Sequence, residues 1–150
     1  MSQCPGPLPT TRAFLSEISG FPAGSKVRFL GCVSSYNTST GHLTLEHNYP
    51  FTSGAIPSIF VDVTVLLGSL KATDLQVGAW LNVLGYVRER LSSRTTASSL
   101  NGTQSTASGT GRPIYVQAVM VFSADAVHLG EYERVLQDWE DADRRVKRPD

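Results

Sequence analysis

The stretch KVRFLGCVSSYNTSTGHLTLEH, residues 26–47, joins two apolar runs through a string of turn residues and places Gly31 in the middle of the first run. Glycine weakens a strand interior, so its usual place there is a bulge, a tight bend or a close approach of another backbone. A strand that must bend at its centre belongs to a sheet that curls on itself. Gly85 repeats the arrangement inside WLNVLGYVRER, Trp80–Arg90.

Five strand-like runs follow one another: Val27–Tyr36, His42–His47, Ser58–Leu67, Trp80–Arg90 and Pro113–Ser123. Each is rich in β-branched and aromatic residues or alternates with a period of two. The third puts Ile59, Val61 and Val63 on one face and Phe60, Asp62 and Thr64 on the other. The fifth opposes Ile114, Val116, Ala118, Met120 and Phe122 to Tyr115, Gln117, Val119 and Val121, so both its faces require cover. A short helical turn is expected at about residues 66–72, between the third and fourth runs. Leu129, Tyr132, Val135, Leu136 and Trp139 then follow the spacing of one helical face, which predicts a helix over residues 130–145. Five strands with a helical element after the third match a five-stranded Greek-key barrel, the OB-fold, with a C-terminal helix. A bulge at Gly31 would flip the alternation there, with Val27 and Phe29 inward before it and Cys32 or Ser34 after it.

The length of 150 residues predicts one domain, over residues 14–145, able to bury a real core. The opening MSQCPGPLPTTR lacks a basic start followed by an apolar stretch. It predicts no secretory leader and reads as a flexible lead-in over residues 1–13. No run of 18 apolar residues occurs, so no membrane helix and no membrane partner are expected. Residues 92–111, SSRTTASSLNGTQSTASGTG, are too poor in apolar side chains to offset the entropy of ordering and read as a mobile loop between strands. Residues 146–150 read as a basic tail.

Two cysteines, Cys4 and Cys32, make neither a disulfide framework nor a zinc site, and the expected compartment is intracellular. The sequons at Asn37 and Asn101 are then chance matches. His42, His47 and His128 form no metal-ligand spacing, His47 reads as a polar strand-end residue, and no nucleophile–base pair stands out. The chain is therefore expected to be neither an enzyme nor a cofactor or metal carrier.

Formal net charge is zero, which disfavours a domain that grips nucleic acid unaided. The charge is uneven: residues 131–143 carry −5 and residues 144–150 carry +3. That suggests a protein-facing surface beside the alternative of an ordinary solvated helix. Single-strand binding needs stacking aromatics with bases nearby. Arg28, Tyr36, Tyr86, Arg88, Arg90, Arg94, Arg112 and Tyr115 qualify, four of the arginines bordering the 92–111 loop. Against this stands the reading that the tyrosines pack beneath the helix or a partner. The stripe of Tyr132, Val135, Leu136 and Trp139 would contribute roughly 6–12 kcal/mol at most if fully buried, against a partner or against the chain's own barrel.

The segments KVRFLGCVSSYNTSTGHLTLEH, VDVTVLLGSLKATDLQVGAWLNVLGYV and YVQAVMVFSADAVHLGEYERVL, preceded by LSEISGFPAGSKVRFLG, resemble the smallest subunit of the CST telomere-capping complex, the Ten subunit, in its filamentous-fungal form. The resemblance covers nearly all of residues 14–136 and excludes the 92–111 insertion and the tail. It implies a single OB-fold similar to the small subunit of replication protein A. It implies pairing with the middle CST subunit through C-terminal helices and barrel faces, and assembly with the large CST subunit. It further implies joint binding of G-rich single-stranded telomeric DNA, indirect support of DNA polymerase α–primase, and residence in the nucleus at chromosome telomeres. Carried over by position, Tyr132, Val135, Leu136 and Trp139 become the heterodimer helix face, and Arg28 and Tyr115 are barrel-face candidates for either partner or DNA, Arg28 being assigned to the partner-binding set. The residues for nucleic acid are Tyr36, Tyr86, Arg88, Arg90, Arg112 and Tyr115. The expected function is a non-catalytic subunit of such a complex. A general single-stranded DNA-binding subunit and a purely structural interaction module stand as alternatives.

Overall fold

A computed structural model describes residues 9–51, 53–90 and 114–147. Among these described residues, six strands, β1 (Thr11–Arg12), β2 (Lys26–Asn37), β3 (His42–Glu46), β4 (Ser58–Asp62), β5 (Trp80–Glu89) and β6 (Ile114–Ser123), precede one α-helix, α1 (Leu129–Lys147). The sheet runs β1-β2-β3-β4-β6-β5 and closes through a further β2–β5 pairing. Strands β2 to β6 thus form the expected five-stranded barrel, and it is closed. The β4–β6 pair is parallel, and the other barrel pairs are antiparallel.

Strand β2 serves both sides of the closure. Its residues 26–32 pair with β5 and its residues 32–37 with β3. The bend that permits this lies between Val33 and Ser35, not at Gly31. Val27, Phe29, Gly31 and Val33 all remain buried, so the alternation passes through Gly31 unbroken and Cys32 and Ser34 are not core positions. Gly31 is instead a point of close approach: a Cβ there would stand 2.8 Å from Leu45 Cβ and 3.1 Å from Leu15 Cδ1. Gly85 does mark a register shift, between Leu84 and Gly85 against β6. That shift leaves Val119 unpaired and reverses β6, so Val121 packs on the core while Met120 and Phe122 are exposed, opposite to simple alternation.

The lead-in is not wholly loose. Thr11–Arg12 pair in parallel with Val27–Arg28, and the Ala13 N–H donates to the Arg28 carbonyl at 3.0 Å. A 3-10 helix at Leu15–Gly20 follows, with the Glu17 carboxylate accepting from the Phe14 N–H at 2.8 Å. Ala13, Phe14, Leu15 and Ile18 are buried. The third run ends early because Asp62 captures the chain: its Oδ1 accepts from the Thr64 N–H at 2.9 Å and the Thr64 hydroxyl at 2.7 Å. Such local side-chain bonds compete with a strand ladder. The expected single turn at residues 66–72 is replaced by two 3-10 turns, Thr64–Leu66 and Ala72–Leu75. Residues 92–111, with Arg94, and residues 112–113 lie outside the described residues.

Candidate functional site

Two surfaces carry the residues singled out from sequence. The first is built on α1. Its start is pinned by the Tyr132 N–H donating to the His128 carbonyl at 3.0 Å. The helix docks on an aromatic cluster in which Phe14 contacts Tyr49 at 4.6 Å between ring centroids and Tyr132 edge-on at 6.4 Å. His47 is no simple strand-end residue. It is buried, packs edge-on against Trp80, and its Nε2 lies 2.7 Å from Glu133 Oε2.

The helical stripe divides. Leu136 is 5% exposed and Tyr132 half-buried, so these two seat α1 on its own barrel. Val135 and Trp139 remain 60% and 51% exposed. Burial pushes the Tyr132 phenol up to about 12, against the opposing pull of Arg12 and Arg28. Arg28 stands beside Arg12 in register, and its Nε donates to Asn82 Oδ1 at 3.0 Å. A cleft of about 510 Å³ runs between β1 and the helix, lined by Arg12, His128, Tyr132, Val135, Leu136 and Trp139. The five residues expected to bind a partner are therefore brought to one side of the barrel.

The second surface is the outer face of β3, β4 and β6. The register aligns Ser35, Thr44, Phe60, Tyr115 and Arg88 in one transverse row. Asn37, His42, Asp62, Gln117 and Tyr86 form the next. The His42 and Tyr115 rings stack at 6.5 Å, the Arg90 guanidinium lies 5.2 Å from the Phe60 ring centre, and that of Arg88 lies 5.4 Å from the Tyr86 ring centre. Arg88 Nε also donates to Gln117 Oε1 at 3.0 Å. A groove of about 630 Å³ is lined by His42, Thr44, Phe60, Asp62, Arg90 and Tyr115.

Tyr86, Arg88, Arg90 and Tyr115 thus share one face. Tyr36 does not join them: beyond the Ser34 bulge it pairs with Leu43 and packs against the core. Arg112 lies outside the described residues. His42, Phe60 and Asp62 were missed, although alternation in the third run places Phe60 and Asp62 outward. Among the described residues, no cluster of His, Cys, Asp and Glu is arranged to hold a metal ion, and no helix is long and apolar enough to cross a membrane.

A sequence profile of the Ten1 family, described as telomere capping, CST complex subunit, matches residues 1–137. Protein ten1 of Schizosaccharomyces pombe is 33% identical over 76 residues, which span 51% of this chain and 63% of that protein. A chain in the crystal structure of the S. pombe Stn1–Ten1 complex superposes with a TM-score of 0.62 at 25% identity, covering 91% of this chain and 96% of its own length. Telomere capping protein Ten1 of S. pombe, crystallised as such, gives 0.60 at 25% identity, covering 89% and 99%.

Proposed function

This chain belongs to the Ten1 family of telomere-capping CST complex subunits, and from that premise we propose that it is a non-catalytic subunit that pairs with an Stn1-type middle subunit. The S. pombe relative is seen in such a complex, which supports the pairing. The observation that carries the reading is the division of α1. Tyr132 and Leu136 already seat the helix, yet Val135 and Trp139 stay exposed in a cleft lined by Arg12, whose register neighbour is Arg28. A large apolar pair rimmed by cations is what a partner's helix or barrel face buries, and Trp and Arg are the side chains that most often anchor interfaces.

The same subunit contacts single-stranded telomeric DNA through the β3–β4–β6 groove. Phe60 and Tyr115 offer stacking surfaces, and Arg88 and Arg90 offer positive charge to the backbone. With no net charge, the chain depends on its partner for tight binding. Its place is the nucleus, at chromosome ends. There it joins the large subunit through the middle one and serves DNA polymerase α–primase indirectly.

Titration of the full chain with a telomeric G-rich single strand and a scrambled one, alone and with the middle subunit added, tests this. Weak binding alone that becomes tight and repeat-selective with the partner is the expected result. Tight, sequence-indifferent binding by the chain alone would favour a general single-strand binder. No binding in either state would leave a structural module.

A further inference from the structure

The β3–β4–β6 groove holds an acid where a polyanion is to lie. Asp62 stands in the row His42–Asp62–Gln117, next to the row containing Phe60 and Tyr115. A carboxylate there repels phosphate, so it has no use in gripping the backbone. Its use must be toward groups that donate hydrogen bonds, because an ionised carboxylate only accepts.

We propose that Asp62 is the base-reading residue of this groove and that it selects guanine. This rests on the reading that the groove takes up a single strand. Asp62 Oδ1 is committed to Thr64, accepting from its N–H at 2.9 Å and its hydroxyl at 2.7 Å. Those two bonds fix the carboxylate plane. Oδ2 stands on the His42 side, 3.9 Å from Nε2 and beyond hydrogen-bond distance. The side chain is 21% exposed, so a bond to Oδ2 forms in partly desolvated surroundings, where a charge-assisted hydrogen bond is strong and a mismatched acceptor costly.

A base stacked on Phe60 or Tyr115 presents an edge toward this row. Guanine presents two adjacent donors, N1–H and the N2 amine, both within reach of one oxygen. Adenine sets its N1 acceptor beside its amine. Cytosine sets N3 beside its amine, and thymine flanks its one donor with two carbonyls. Each of these brings an acceptor toward a fixed negative charge. Gln117 does not compete for the edge, because its Oε1 is held by Arg88.

Fluorescence anisotropy of the full chain, with its middle-subunit partner present, tests the assignment on short strands carrying one guanine in a thymine background. That guanine is replaced in turn by inosine, which lacks the N2 amine, by adenine and by thymine. Asp62→Asn is the informative variant, since its amide oxygen still accepts from Thr64 while an NH₂ replaces Oδ2. The wild type is expected to lose roughly tenfold from guanine to adenine or thymine, with inosine between. Asp62→Asn is expected to abolish or invert the preference for guanine, because the NH₂ in place of Oδ2 opposes guanine's donors and can donate to adenine N1 or a thymine carbonyl. If Phe60→Ala and Tyr115→Ala weaken every strand while Asp62→Asn keeps the preference for guanine, the groove stands and the Asp62 assignment is wrong. If those two alanine variants bind as the wild type does, both the groove and the assignment fall.

Discussion

His47 Nε2 lies 2.7 Å from Glu133 Oε2, joining the end of β3 to α1 across 86 positions of the chain. The imidazole is 3% exposed, and among the described residues its Nδ1 has no hydrogen-bond partner. Among the described residues, its polar partner is therefore the helix's Glu133. Removing the carboxylate leaves a buried imidazole wholly unpaired, which costs more than the net value of one bond. Glu133→Ala is expected to lower unfolding stability by about 1.5–3 kcal/mol. Glu133→Gln, which keeps an acceptor of the same shape, should cost less than half of that. Denaturant unfolding of both variants gives the comparison, and equal losses would mean that the contact is packing and not a hydrogen bond.

Leu136 and Trp139 lie one turn apart on α1 and should behave oppositely. Leu136→Ala empties a buried site and is expected to cost about 2–4 kcal/mol of fold stability. Trp139→Ala removes a half-exposed ring. It should leave the melting temperature nearly unchanged while weakening association with the middle subunit by more than about 1.5 kcal/mol. Calorimetric titration beside thermal melts separates the two. A melting-temperature loss for Trp139→Ala as large as that for Leu136→Ala would place the indole in the core and remove it from the interface.

The barrel was legible because period-two alternation in five runs is a local property of the chain. Val27, Phe29, Leu43, Leu45, Leu81 and Val83 are all buried as that pattern requires. What was hidden depended on partners distant in sequence. The residue that Gly31 must accommodate, Leu45, sits on another strand. The bulge at Ser34 turns Tyr36 inward with no glycine to announce it, and the one at Val119, marked only by Gly85 on the facing strand, turns Phe122 outward. His42 joins the groove only because β3, β4 and β6 bring it against Tyr115. Periodicity likewise marks a helical face without saying which part of that face the chain itself covers. The N-terminal strand was missed because two residues leave no period to read.

Gly85 and Gly130 are opposite cases of one substitution. A Cβ at Gly85 would run into the Gln117 carbonyl oxygen and stand 2.9 Å from Ala118 Cα, backbone that cannot swing aside. Gly85→Ala is expected to destabilise by about 1–3 kcal/mol or more. Gly130 lies in the first turn of α1 with nothing within 4 Å of a Cβ position. There alanine removes backbone entropy from the unfolded chain, and Gly130→Ala is expected to stabilise by up to about 1 kcal/mol. Equilibrium unfolding midpoints decide both, and a harmless Gly85→Ala would mean that the β5–β6 register is free to slide.

Glu140 and Glu17 hold the far half of α1 against the Leu15–Gly20 helix through a carboxyl pair. Burial, the hydrogen bond to Glu17 and the charge of Glu17 push the Glu140 carboxyl up to about 7 from its ordinary 4.5, while Arg144, itself paired with Asp141, pulls it down. A proton held more tightly in the docked state stabilises docking wherever that proton is present. The contribution is full below about pH 4.5, where both states are protonated. It declines as pH rises toward about 7, and is gone above that, where two carboxylates face each other. Glu140→Gln keeps a donor for Glu17 at every pH. It is therefore expected to match the wild type near pH 4.5 and to exceed it near pH 8, by up to about 1 kcal/mol after allowance for solvent screening at this half-exposed site. Unfolding stability of the two proteins at intervals across that range, taken as a difference so that other carboxylates cancel, is the measurement. A difference that stays flat with pH would show that the pair does not share a proton.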